Sequence, residues 1–132
     1  MLGLIGWTLF VWGGRIRNVA ADNQLHGWAR NWRMAIAVVF VAAALGVAAL
    51  AVGWLLGPDN RIPRRLARSS LGLAVIGSGW WAVRGLDIAL GDHALGFKVV
   101  HSVLAVVTFG LGLAVVGWTQ KNARAPVGPS PR

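Results

Sequence analysis

Four apolar stretches separated by short polar segments set the pattern of this chain. The second stretch, 34–56, runs for twenty-three residues without a charged side chain. As a helix it is long enough to cross a hydrocarbon core of about 30 Å. Together the four apolar stretches predict helices at about 1–21, 34–57, 71–90 and 93–118. We therefore expect an all-α integral membrane protein, a bundle of four transmembrane helices.

The domain organisation follows from the same pattern. The four helices form one predicted domain over 1–118, and a polar, proline-rich tail follows at 119–132. The apolar part of the first helix is short, because the chain is uncharged only through Gly14 and fourteen helical residues rise about 21 Å. To cross the membrane, the helix must continue past Arg15 and Arg17, whose side chains can reach the interface. A helix lying along the membrane surface is the alternative.

The predicted helix ends depend on a few capping residues. Ser69 or Ser70 is a suitable N-cap for the third helix, which would leave 58–70 as an arginine-rich loop. Gly91 is a natural C-cap for that helix and Asp92 a natural N-cap for the fourth. These residues predict a helical hairpin with its turn at 91–93.

The composition of the chain excludes several classes of function but does not indicate one. Hydrophobic residues make up 56% of the chain and charged residues 13%, against about 25% charged residues in ordinary soluble domains. Cysteine and glutamate are absent, so disulfides and thiolate metal sites are excluded. There is no phosphate-binding glycine loop, nucleophile–base pair or HExxH motif. We expect no enzymatic activity and no cofactor, and no repeat is clear enough in the sequence to indicate a transporter built of inverted halves.

The net charge of +9 raises the question of which anionic partner the chain binds. The thirteen Lys and Arg side chains flank the apolar stretches in small groups and do not form one basic face, which argues against nucleic-acid binding. Such flanks suit anionic lipid headgroups. They predict a multi-pass protein of the cell (inner or plasma) membrane, and their distribution favours cytoplasmic termini.

Four polar side chains stand within the last two apolar stretches, namely Arg84, Asp87, Lys98 and His101. In each helix the two polar residues are three positions apart and share a face, and the turn brings both pairs to similar depth. A charge left alone in hydrocarbon costs several kcal/mol, so pairing is expected. The cluster is interpreted as a structural element, a contact for a partner or lipid headgroup, a proton relay through Asp87 and His101, or a haem or metal site.

Small residues follow one face of the second helix and recur on the fourth. On the second helix they include Ala42, Gly46, Ala49 and Gly53; on the fourth they are Gly110, Ala114 and Gly117. Small residues let two membrane helices approach closely. These faces either close the protein's own bundle or form a docking face for another subunit.

The opening MLGLIGWTLFVWGGRIRN and the span FKVVHSVLAVVTFGLGLAVVGW resemble small transmembrane proteins of high-GC actinobacteria such as mycobacteria. Some of those proteins are accessory subunits of envelope complexes, among them the respiratory supercomplex and Mce-type lipid importers. The resemblance implies a non-catalytic accessory or stabilising subunit whose partners are other integral-membrane subunits. The alternatives are a haem-binding or proton-handling redox subunit using His101 and Asp87, and a free-standing lipid-binding membrane protein.

Overall fold

A computed structural model describes residues 1–58 and 62–123, and every regular element in that part of the chain is an α-helix. The four helices are α1 (Leu2–Ala21), α2 (Gly27–Leu55), α3 (Arg64–Leu90) and α4 (Leu95–Ala123). The predicted all-α fold is confirmed.

Three of the helices are long and apolar enough to cross a membrane: Gly27–Leu55, Arg64–Leu90 and Leu95–Asn122. This finding indicates a membrane protein. α1 is not among them, because Arg15, Arg17 and Asn18 lower the apolar character of its twenty residues.

The chain divides into two compact units, one over Leu2–Leu73 and one that begins at Ala74. In the first unit α1 packs along α2. Trp12 of α1 stacks on Phe40 of α2, with ring centroids 4.1 Å apart. The hydroxyl of buried Thr8 donates to the carbonyl of Leu4 at 2.8 Å, so it carries no unmet hydrogen bond into this interface. The buried residues of the two helices are Leu4, Ile5, Thr8, Trp12, Val19, Ala37, Phe40, Ala44, Val47 and Ala51.

In the second unit α3 and α4 meet through small side chains. A Cβ at Gly112 would lie 3.1 Å from the Ser78 hydroxyl and 3.8 Å from the Ala74 Cβ, so the helices approach closely where glycine stands. A Cβ at Gly77 would likewise lie 3.8 Å from the methyl group of Thr108. Close backbone approach replaces large interdigitating side chains here, as is typical of helices packed in membranes.

Two helices begin earlier than the apolar pattern predicted. α2 starts at Gly27 instead of 34, and α3 starts at Arg64 instead of 71. Ser69 and Ser70 therefore lie inside α3, and their prediction as N-caps was wrong. Arginine, tryptophan and alanine are all compatible with a helix, so the helices extend beyond the apolar runs. Pro63 precedes α3, where its missing N–H costs nothing, and its carbonyl accepts the N–H of Ala67 at 3.1 Å.

The turn between α3 and α4 also differs from its prediction. α4 begins at Leu95, and the carbonyl of Ala94 accepts the N–H of Lys98 at 3.1 Å, so Asp92 is not the N-cap. Gly91 does follow α3, and its N–H donates to the carbonyl of Asp87 at 2.9 Å.

The remaining boundaries shift by a few residues. α2 ends at Leu55 instead of 57, and α4 runs to Ala123 instead of 118, so the start of the predicted tail is helical. The rest of that tail, 124–132, lies outside the described residues. The single domain over 1–118 stays a prediction.

Candidate functional site

Arg84 and Asp87 form an ion pair on α3. They are three residues apart, so they occupy one helical face, and both side chains remain accessible, at 37% and 60%. Neither charge contacts Lys98 or His101 in the described part of the chain. In water such an exposed pair contributes little to stability. Within the hydrocarbon region of a membrane the pair matters more, because each charge alone would raise the free energy of the protein by several kcal/mol.

Lys98 reaches across the hairpin from the first turns of α4. Its Nζ donates to the carbonyl of Ala89 at 3.3 Å. Ala89 is the penultimate residue of α3, and the last carbonyls of a helix have no partner within the helix. The ammonium group therefore caps the negative end of the α3 dipole.

His101 lies half-buried between its own helix and α3. Its Nδ1 is 2.8 Å from the carbonyl of Phe97. A carbonyl only accepts, so in this contact Nδ1 carries the proton and, in the neutral ring, Nε2 keeps a lone pair. The ring centroid of His101 is 3.9 Å from that of Phe97 and 6.1 Å from that of Trp81 on α3. His93 extends this row of rings, 5.0 Å from Phe97.

The structure therefore divides the cluster that the sequence grouped together. Arg84 and Asp87 pair with each other along α3, whereas Lys98 and His101 link α4 to α3 through a carbonyl and an aromatic ring. Across residues 1–58 and 62–123, no three His or Asp side chains come close enough together to hold a metal ion.

The small-residue face of α2 is exposed in the described part of the chain. Its members Ala42, Gly46, Ala49 and Gly53 are all exposed. A Cβ at Gly46 or Gly53 would meet no atom within 4 Å. The buried stripe of α2 lies on another side, along Phe40, Ala44 and Val47. The face that the sequence singled out is thus distinct from the one that packs against α1.

Sequence reasoning missed a second interhelical contact, at the turn of the first hairpin. The guanidinium group of Arg30, in the first turn of α2, donates to the carbonyl of Ala20 at 3.5 Å. Ala20 is the penultimate residue of α1. Asp22 shapes the connector, since its Oδ1 accepts the N–H of Gln24 at 2.9 Å. A cation in the first turn after a short connector was the signal that would have found this contact.

Comparisons of the chain with protein-family models, with curated proteins and with solved structures give no match.

Proposed function

We propose that this chain is a multi-pass protein of the cell membrane that acts as a non-catalytic accessory or stabilising subunit of a larger membrane complex. One observation carries the proposal. Within the three candidate spans, only 28%, 28% and 17% of the most apolar window is buried inside the chain. The remaining apolar surface requires lipid or other protein helices around it.

In this proposal α1 is the fourth span. Its twenty residues rise about 30 Å, which matches the hydrocarbon core. Arg17 is exposed near the end of α1, where a long side chain can reach the headgroups. Packing along α2 holds α1, through its buried residues Leu4, Thr8 and Trp12, against a helix that is itself long enough to span.

The exposed small-residue face of α2 is the proposed contact with a partner helix. Without a hydrophobic driving force between helices in lipid, association depends on close packing, which glycine and alanine permit. The partner in this proposal is another integral-membrane subunit. The actinobacterial resemblance favours a respiratory supercomplex or a lipid-uptake transporter as the complex.

The basic flanks supply a second kind of contact. Six exposed arginines stand at or near helix ends that face polar segments: Arg17, Arg30, Arg33, Arg64, Arg65 and Arg68. Beside Arg30 and Arg33 the exposed indoles of Trp28 and Trp32 stack, with centroids 6.2 Å apart. Tryptophan and arginine together are typical of the headgroup zone, so we place anionic lipids here.

The test is affinity purification of the tagged full chain from its native membrane in mild detergent, followed by mass spectrometry. Stoichiometric membrane partners are expected. Gly46→Ile should release them while the chain stays folded, because a Cβ at Gly46 meets no atom of the described residues within 4 Å. Ala43→Ile is the matched control, since Ala43 is exposed on the same helix but lies away from the small-residue face. A chain that always purifies alone, or with lipid only, contradicts the proposal.

The second candidate is a redox or proton-handling subunit, and the geometry of His101 favours it. The Nδ1–H to Phe97 contact leaves Nε2 as a proton acceptor or ligand atom. An absorbance spectrum of the purified protein tests the haem version, which requires a Soret band. The proton-handling version requires that Asp87→Asn lowers a proton-coupled activity of the purified complex.

A further inference from the structure

The buried residues of α1 and α3 occupy corresponding positions. Moving 69 residues along the chain carries each buried residue of α1 onto a buried residue of α3. The five pairs are Leu4 with Leu73, Ile5 with Ala74, Thr8 with Gly77, Trp12 with Trp81, and Val19 with Ile88. One tryptophan is buried in each stripe, at the same position. The two helices therefore bury the same face in the same phase.

α2 and α4 correspond at three of the five buried positions of α2 after a shift of 68 residues, whereas buried Ala37 and Ala51 fall on half-buried Ala105 and Thr119. Phe40, Ala44 and Val47 fall on Thr108, Gly112 and Val115, and all six are buried. The change from 69 to 68 has a structural origin. The connector 22–26 has five residues and the connector 91–94 has four, so one residue is missing from the second hairpin.

The turns of the two hairpins carry the same contact. Arg30 and Lys98 are each the fourth residue of their helix, and each donates to a carbonyl of the preceding helix. The acceptors, Ala20 and Ala89, are both penultimate residues. The burial of apolar faces does not require a cation at the fourth position of both helices, because any residue that fits a helix could stand there.

Sequence identities agree with the two shifts. Leu2-Gly3-Leu4 falls on Leu71-Gly72-Leu73, and Ala37-Val38-Val39 falls on Ala105-Val106-Val107. Arg15 falls on Arg84. Apolar positions alone do not produce an arginine at the same place in both helices.

We infer that the chain is a tandem pair of one helical-hairpin unit, residues 2–55 and 71–123, in which Arg30 and Lys98 are equivalent positioning residues. Each cation fixes the start of the second helix against the end of the first. This inference goes beyond the proposed function and does not depend on it.

The equivalence also divides the four polar residues of the candidate site into two Lys or Arg residues that fall on an arginine of the first hairpin and two residues that fall on a residue of a different type. Arg84 and Lys98 have cationic counterparts in the first hairpin, so they belong to the common unit. Asp87 falls on Asn18 and His101 falls on Arg33. A function specific to the second hairpin therefore depends on Asp87 and His101, not on the two cations.

Disulfide cross-linking of the full chain tests the equivalence directly, because the protein contains no cysteine. The Ala74 Cβ lies 3.8 Å from a Cβ at Gly112, within the range for a disulfide. Transferred by the two shifts, this contact predicts that Ile5 meets Ala44. The pairs Ala74→Cys with Gly112→Cys and Ile5→Cys with Ala44→Cys should both cross-link at least about tenfold faster than shifted controls.

The shifted controls replace Gly112 by Ala105 and Ala44 by Ala37, seven residues away, which is about 10 Å along a helix. Cross-linking of Ile5→Cys with Ala44→Cys that is no faster than with Ala37→Cys overturns the inference. The purified chain suffices for this measurement, so loss of a partner complex cannot imitate either result.

A second experiment addresses the positioning residues and does not need cysteines. Arg30→Gln and Lys98→Gln should lower the midpoint of thermal unfolding by similar amounts, and the exchanged cations Arg30→Lys and Lys98→Arg should restore it. Rescue at one position but not at the other overturns the equivalence. Loss of stability with no rescue at either position does the same.

Discussion

The indole of Trp12 lies face to face with the phenyl ring of Phe40, with ring centroids 4.1 Å apart and planes inclined by 3°. Both side chains are buried, each 6% exposed. The rings come from different helices, so a slip of one helical turn, about 5.4 Å, would separate them. The stack therefore sets the register of α1 along α2.

We predict that Trp12 and Phe40 are energetically coupled. A double-mutant cycle with Trp12→Leu and Phe40→Leu should give a coupling of about 0.5–1.5 kcal/mol, the value expected for an aromatic pair beyond its buried area. The measurement is reversible unfolding in mixed micelles. The control cycle pairs Phe40→Leu with Trp28→Leu, since Trp28 is 77% exposed and lies about 18 Å along α2. Equal coupling in the two cycles would show that the stack has no specific role.

A larger side chain at Gly112 should separate α3 from α4. Gly112→Ile places its side chain against Ser78 and Ala74, where a Cβ alone already lies 3.1 Å from the Ser78 hydroxyl. Overpacking of this kind costs about 1–3 kcal/mol. Gly110→Ile is the control, because a Cβ at Gly110 meets nothing within 4 Å. Unfolding in mixed micelles measures both variants, and a loss that is as large for Gly110→Ile would place the helix contact elsewhere.

The turn after α3 should require glycine at position 91. A Cβ at Gly91 would lie 2.9 Å from the carbonyl oxygen of Asp87 and 3.1 Å from Nε2 of His93, so the backbone must move to accept it. We expect Gly91→Ala to destabilise the hairpin by about 1–3 kcal/mol. Gly96→Ala, where a Cβ meets nothing within 4 Å, should leave the stability unchanged or raise it by up to about 0.5 kcal/mol, since Gly96 stands in the first turn of α4. If thermal unfolding ranks the two variants in the opposite order, the close approach at Gly91 is not a constraint.

If α1 spans the membrane as proposed, we predict that the two hairpin turns lie on one side of it. Single cysteines at Asn23 and Asp92, both exposed, should react with an impermeant maleimide from the same side in sealed vesicles. A cysteine at Gln120, also exposed, should react from the other side, which we expect to be cytoplasmic. Should α1 instead lie along the surface, cysteines at Leu2 and Asn23 would both label from one side.

The helices were predictable from the sequence to the extent that their apolar runs defined them. The long run at 34–56 predicted α2, but the helix starts at Gly27 because Trp28 and Arg30 can continue it. The run from Leu71 predicted α3, but the helix starts at Arg64, directly after Pro63. Hydropathy marks the residues that lipid accepts, whereas helix ends depend on backbone hydrogen bonds.

The sequence predicted which residues form the candidate site, but only some of the contacts that they make. A spacing of three residues on one helix is a local property, and Arg84 does pair with Asp87. The partner of Lys98 is a backbone carbonyl of another helix, which no side-chain pattern reveals. Likewise, the equivalence of the two hairpins is clearest in which positions are buried, and only a few identical residues accompany it in the sequence.

By itself, the sequence determined that this is an α-helical membrane protein without cysteine chemistry, because hydropathy and composition belong to each residue separately. Only the tertiary structure decided which helical faces pack and which stay open. It left Gly46 exposed and buried Gly112, although both are glycines in apolar helices. Burial depends on the position of a second helix, and that position follows from contacts such as Trp12 with Phe40 and Lys98 with Ala89.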